Sequence, residues 1–236
     1  DIHIIGKDIL RFHAIYWPAF LMAAKIPLPK RVYGHGWILS DKKKMSKSIG
    51  NILDPIEIIN TYGVDQLRYY LTKEVSLGND GNVSLNNLKN CINNDLANNY
   101  GNLCQRVFSF LKKNCSNKIP QTDLFTNEDK ALTSKLKNDI DKLNQLIDEQ
   151  NLNIYIKKVI EYSFDSNKYF NDSEPWSLKK TDKNRMNSVL YSIVEQIKNI
   201  SILLLPIIPN SANKILDVIN VSKDQRVISD IDKSKT

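Results

Sequence analysis

The sequence predicts a mostly α chain in which part of a parallel α/β unit is followed by an antiparallel helical bundle. Three observations carry this. An apolar, β-branched run, DIHIIG, ends at Gly6 and reads as a buried strand. A helical stretch and a second strand-like run, RVYGHGWIL, follow it in the order of a parallel strand–helix–strand unit. Nearly everything after position 55 then reads as helix. Parallel strands are normally covered on both faces and need neighbours. Those neighbours are not legible here, and the chain opens on Asp1 rather than Met. The expectation is therefore a polypeptide that begins inside a domain.

The first helical stretch, GKDILRFHAIYWPAFLMAAK, spans residues 6–25 and is apolar on most faces. That pattern predicts a buried helix, bent or broken at Pro18. Asp8 and His13 stand out on it as polar groups. A lysine-rich loop, DKKKMSKSIGN, runs from Asp41 to Asn51. Asp54 then suits an N-cap, Pro55 the first helical position, and Glu57 completes a capping box. Gly63 is placed to end that helix, and Asp65 restarts one through Leu67, Tyr70 and Leu71. The polar, Gly-containing stretch SLGNDGNVS marks a turn and boundary over residues 76–84.

From Leu85 to Pro209 the pattern is helix after helix. Leu96, Tyr100, Leu103, Val107, Phe110 and Leu111 recur at helical spacing and should face a core. Asn102 and Arg106, four apart, share a face away from that stripe. Further helices are predicted from Glu128 to Glu149, Leu152 to Phe170 and Ser177 to Leu205. Short connections between them argue for an antiparallel bundle. The closing VSKDQRVISDIDKSKT is polar and is expected to fray.

Composition narrows the function classes. The formal net charge of +7 favours an anionic partner, nucleic acid first among them. Three cysteines, Cys91, Cys104 and Cys115, form no C-x-x-C pair. They make neither a disulfide framework nor a zinc site and fit a reducing cytoplasm. The apolar run SILLLPIIP falls short of the roughly 18 residues of a membrane span, so no membrane partner is expected.

The lysine loop carries the sharpest chemistry. Lys42, Lys43, Lys44 and Lys47 follow an extended segment and precede a capped helix. Such a cationic arm can close on a polyphosphate and stabilise charge that develops during transfer. A run of surface charge would serve composition equally well, but the literal order Lys44-Met45-Ser46-Lys47-Ser48 is specific. It spells KMSKS, the second signature of class I aminoacyl-tRNA synthetases. With HIIGKDILRFHAIYWPAFL and HGWIL before it, and SIGNILDP, YGVDQLRYYL, DLANNYGNLCQR and SEPWSLKK after it, the chain resembles the methionyl-tRNA synthetase family. The resemblance covers nearly the whole chain and weakens after residue 185.

The resemblance implies the C-terminal half of a Rossmann-type catalytic domain in residues 1–52, a linking stem-contact segment in 53–90, and an α-helical anticodon-binding domain in 91–236. It implies that Lys44 and Lys47 bind ATP phosphates, with Mg²⁺ sharing that duty and no protein-bound metal. It places Gly6, Asp8 and Ile38 near the adenosine and Ile9 and His13 on the methionine side. Asn102, Arg106 and Trp176 become the readers of the tRNA(Met) anticodon, by stacking and base-edge hydrogen bonds. The family's first signature, an HIGH-like motif, is absent, since the histidines are His3, His13 and His35. The implied enzyme is a methionine–tRNA ligase, cytoplasmic, with its N-terminal half missing and this part inactive alone. Two other readings stand beside it: a stand-alone anticodon-binding module without catalysis, and a class I synthetase for Leu, Ile or Val, which would not be expected to combine GKDI with the Asn102, Arg106 and Trp176 set.

Overall fold

The structure, a computed structural model, describes residues 2–40, 42–46, 48 and 50–231. Strands β1 (Ile2–Gly6) and β2 (Arg31–His35) pair in parallel, with Ile2 opposite Arg31 and Gly6 opposite His35. This is the predicted strand–helix–strand unit. The connection is not one helix, however. A 3₁₀ turn at Lys7–Ile9 and a π-helical turn at Phe12–Tyr16 lead into α1 (Trp17–Ala23). Pro18 falls in the first turn of α1, where its missing N–H is tolerated. Nor is the connection buried. Phe12, Ile15, Phe20 and Met22 are each more than half exposed, so the expectation of a buried helix is corrected. Its apolar faces are real, but nothing among the described residues covers them.

RVYGHGWIL divides into two strands in different sheets. Strand β2 ends at His35, and β3 (Ile38–Ser40) starts a second sheet. There β3 lies between β4 (Lys43–Lys44), antiparallel, and β5 (Gly81–Val83), parallel. Strand β5 lies inside the stretch read as a boundary turn. Two of its three residues, Gly81 and Asn82, are poor strand formers, and pairing with β3 overrides that.

Helices α2 (Pro55–Tyr62) and α3 (Val64–Glu74) meet at Gly63, whose φ of 100° ends α2 as predicted. Asp54 caps α2 by accepting the Ile56 N–H at 2.7 Å. Glu57 makes no reciprocal bond among the described residues, so the capping box is only half formed.

The bundle begins with α4 (Leu85–Cys91), which runs through a π-helical stretch at Ile92–Gly101 into α5 (Asn102–Asn114). The predicted stripe holds, with Leu103 and Val107 fully buried. Next come α6 (Asn127–Asn138), α7 (Ile140–Asp148), α8 (Leu152–Asp172), α9 (Pro175–Thr181), α10 (Lys183–Leu204) and α11 (Pro209–Val218). The helix expected over 128–149 is thus two, parted at Asp139, and the one over 177–205 is parted at Asp182. Asp182 caps α10 by accepting the Arg185 N–H at 2.9 Å. Helix α10 is the central one, packed against α5, α6, α8, α9 and α11.

The expected fraying of the tail is corrected as far as Ile231. Helix α12 (Ile228–Ile231) packs on α10, and Ile231 is fully buried. The buried Arg226 guanidinium donates to Asn213, Asp217 and the Val221 carbonyl, which ties this segment to the end of α11. One apolar core runs from Ile58 to Ile231, so the segment 53–90 and the bundle are packed together. Burial pushes the Cys91 and Cys104 thiols up to about 12, which leaves them unreactive. Among the described residues no helix is long and apolar enough to cross a membrane.

Candidate functional site

The lysine loop is anchored at one end and braced across its base. Lys42 sits at the β3–β4 turn with φ 62°, and its N–H donates to Asn82 Oδ1 at 2.6 Å. Lys44 ends β4 opposite Leu39. Met45 turns inward, packing against the core beside an apolar cavity that Leu53, Ile58, Leu67 and Leu88 also line. Its partial burial contributes about 1–2 kcal/mol and fixes where the loop leaves the sheet. Asn51 spans the base. Its Oδ1 accepts the Ser46 N–H at 2.9 Å, and its Nδ2 donates to the Lys44 carbonyl at 3.3 Å. The Gly50 N–H donates to the Ser46 carbonyl at 3.2 Å, and the Ser46 and Ser48 hydroxyls lie 2.7 Å apart. Lys47 lies outside the described residues.

Lys44 is exposed, and its ammonium lies 4.0 Å from the centroid of the Trp37 ring. Trp37 is itself held from two sides. Its N–H donates to Asp80 Oδ1 at 2.8 Å, and its carbonyl accepts the Gly81 N–H at 2.8 Å. The same Asp80 oxygen accepts Lys7 Nζ at 2.5 Å. The Lys7 and Trp37 donors hold the Asp80 carboxyl below the usual carboxylate range. Asp80 therefore links the turn that carries Gly6, Asp8 and Ile9 to the strand that carries the lysine loop.

Gly6 closes β1. Asp8 folds back over it, so that a side chain at position 6 would meet Asp8 Oδ1 at 2.5 Å. Only Gly leaves that carboxylate its place. His13 Nδ1 lies 3.0 Å from the Ile9 carbonyl oxygen. A carbonyl only accepts, so in this bond Nδ1 is the donor. His13 joins Phe12, Tyr16, Trp17, Phe20 and His3 around an open aromatic groove. Ile9 does not line that groove and reaches it only through His13. Ile38 opens β3 opposite Gly81, with its side chain beside Met45. Among the described residues, no group of three or more His, Cys, Asp or Glu side chains could hold a metal ion.

A second constellation lies in the bundle. Asn102 and Arg106 stand one turn apart on α5, both half-buried. The Arg106 guanidinium lies 5.0 Å from the Phe170 ring centroid, and its Nη2 donates to Asn171 Oδ1 at 2.6 Å. Trp176 meets the same Phe170 edge-on, with centroids 6.0 Å apart and planes at 75°. Phe170 is buried, whereas Trp176 is 43% exposed at the start of α9. A Trp left this open on a rigid buried ring offers a stacking face, not core packing. Arg106 and Trp176 thus share one platform across 70 positions of sequence, and Asn102 precedes them on the same helix.

Five contributors were missed in the sequence: Trp37, Asn51, Asp80, Phe170 and Asn171. Only Asn51 carries a local signal, as it closes the loop with Gly50. The others act through contacts between positions far apart in the chain, which spacing does not report.

The chain is similar to known proteins in sequence and in fold. A family model described as tRNA synthetases class I (M) matches residues 1–108, and one described as the anticodon binding domain of methionyl tRNA ligase matches residues 119–235. The methionine–tRNA ligase of Brucella suis is 46% identical over 97% of this chain and 44% of its own length. That of Rickettsia conorii is 44% identical over the full chain and 47% of its own length. The structure of Mycobacterium tuberculosis methionyl-tRNA synthetase in complex with methionyl-adenylate superposes with a TM-score of 0.95 at 40% identity. That match covers 98% of this chain and 46% of the other. The chain spans less than half the length of these relatives.

Proposed function

The chain belongs to the class I methionyl-tRNA synthetase family, and from that membership we propose that it supplies the lysine loop and the anticodon reader of a methionine–tRNA ligase. The reaction is ATP-dependent activation of L-methionine to methionyl-adenylate, followed by transfer to tRNA(Met). A methionine carboxylate oxygen attacks the α-phosphorus, and the bond to the leaving pyrophosphate breaks. Negative charge grows on the phosphate oxygens and on pyrophosphate. Lys44 and Lys47 are the residues that meet this charge, and Mg²⁺ enters as part of the MgATP substrate. Gly6 and Asp8 face the ribose and adenine, with Ile38 offering backbone atoms. His13, positioned by the Ile9 carbonyl, gives the aromatic groove its polar group. Such a wall suits a soft, nearly apolar thioether.

The observation that carries this reading is the KMSKS order folded as an anchored loop, with Met45 inward and Lys44 outward. The open apolar face from Ile2 to Leu28 supports a partner there: the other half of the catalytic domain of the same enzyme. In the bundle, Trp176 stacks an anticodon base while Asn102 and Arg106 bond base edges. A tRNA substrate and cysteines without a C-x-x-C pair support a cytoplasmic setting for the reaction.

Two measurements test the reading. The gene's full product should catalyse methionine-dependent ATP–pyrophosphate exchange, and Lys47→Ala should lower its kcat by about 10²–10³. Filter binding to tRNA(Met) against an anticodon-swapped transcript tests the bundle. Equal affinity for both transcripts would refute the assignment of Asn102, Arg106 and Trp176.

A further inference from the structure

We propose that Trp37 is a positioning residue that parks the Lys44 side chain until a polyphosphate competes for it. The proposal rests on the reading of Lys44 as a phosphate-binding lysine. The Lys44 ammonium lies 4.0 Å from the indole centroid and forms no ion pair among the described residues. Among the described residues the ring is the ammonium's partner. Both backbones beneath the pair are fixed. Trp37 is bonded on its N–H side by Asp80 and on its carbonyl side by Gly81. Lys44 is paired with Leu39 and held at its carbonyl by Asn51. Parking and release therefore need only rotation of the lysine side chain, with β3, β4 and Met45 staying in place.

The strengths suit a release on demand. A cation–π contact at an exposed site is weak, enough to hold the side chain for most of the time. Charge-assisted bonds to phosphate oxygens are stronger and several can form at once, so pyrophosphate or ATP wins. The parked state still taxes binding, because apparent affinity falls with the fraction of side chains not free to bind. Between turnovers the Lys44 side chain stays near the sheet. Asp80, which anchors both Trp37 and Lys7, keeps the parking place in register with the Gly6–Asp8 turn.

The test reads the side chain directly. In protein labelled with carbon-13 at lysine Cε, the methylene over an indole face is shifted upfield by the ring current. One resonance, assigned by its loss in Lys44→Gln, is expected upfield of the lysine envelope and is expected to rejoin it as inorganic pyrophosphate is added. Trp37→Leu should return it to the envelope without ligand and tighten pyrophosphate binding roughly three- to sixfold. Trp37→Phe, which keeps a ring and the local packing, should leave it upfield. A Lys44 resonance inside the envelope in the wild type overturns the proposal with no variant needed. So does weaker or unchanged pyrophosphate binding in a folded Trp37→Leu. Methionine-dependent exchange by the gene's full product separates the two possible failures. Exchange that persists while Lys44 stays upfield in saturating pyrophosphate overturns the parking alone. Absence of exchange overturns the ligase reading beneath it.

Discussion

Asp129 shows how a single residue can hold the bundle near the Arg106 and Trp176 platform. Its carboxylate is fully buried and accepts Arg185 Nη1 at 2.6 Å, the Thr126 N–H at 2.9 Å, and the Tyr169 hydroxyl. Tyr169 immediately precedes Phe170 and Asn171, the platform and partner of Arg106. Burial pushes the carboxyl upward, but the bonds from Arg185, Tyr169 and Thr126 outweigh it, and the group titrates below its ordinary value. A depressed folded pKa gives stability that is complete above the unfolded value of about 4 and is lost as pH falls through the folded one. Asp129→Asn should therefore cost about 3 kcal/mol at pH 7, because it leaves the Arg185 charge half-buried without an anion. Urea unfolding should show the gap to wild type narrowing below about pH 4. A gap that is the same at both pH values would refute the ion-pair account. At this scale spacing made a placement legible, since Asn102 and Arg106 do stand one turn apart on α5, while the order Lys44 to Ser48 marked out a loop. Asp129 escaped notice because its partners Tyr169 and Arg185 lie 40 and 56 positions away.

Elements are joined here by side chains that cap helices other than their own. Asp65 sits in the first turn of α3, yet its carboxylate accepts the Ser211 N–H at 2.6 Å and the Asn210 N–H at 3.4 Å, at the start of α11. One turn later, Arg68 donates to the carbonyls of Ile207 at 2.9 Å and Pro206 at 2.7 Å. A carboxylate thus meets the positive end of α11, and a guanidinium meets carbonyls just beyond α10. This pair stitches the segment 53–90 to the bundle. Asp65→Ala should destabilise by about 2 kcal/mol, since it leaves the half-buried Ser211 amide at the start of α11 without its acceptor. Asp65→Asn, which keeps one acceptor, should lose less. Thermal or urea unfolding measures both, and a loss below about 0.5 kcal/mol for Asp65→Ala would place the residue among ordinary surface positions. The stripe on α5 was legible because helical periodicity and burial coincide there. The break at Asp139 was not, since Leu136, Ile140 and Leu143 keep the apolar period across it, and the one at Asp182 falls in a polar run, 179–185, that a solvated helix face would equally explain. Strand β5 was hidden because its partner β3 lies some forty positions earlier and supplies the reason for the strand.

The whole molecule is uneven: a closed core from Ile58 onward, and an open apolar surface before it. Ile4, Phe12, Ile15, Phe20, Met22 and Ile26 are each more than half exposed. This asymmetry was legible as a strand pair without neighbours, though the sequence pattern alone made the same residues look buried. Periodicity reports which residues want a cover and says nothing of whether this chain provides it. The cluster of Asn102, Arg106 and Trp176 is different, because the helices that carry these residues pack into one core and Phe170, on which Arg106 and Trp176 rest, lies in it. The two ends should therefore separate in experiment. The 236-residue chain on its own should bind tRNA(Met) with anticodon preference and yet give no methionine-dependent ATP–pyrophosphate exchange. Its exposed face should bind a hydrophobic dye and drive association at high concentration. Ile15→Lys with Phe20→Lys should abolish association and dye binding while leaving urea unfolding of the bundle unchanged, because neither side chain touches the core. Robust exchange by the isolated chain would show that the lysine loop and aromatic groove need no facing half. Loss of bundle stability in the double variant would show that the open face is packed after all.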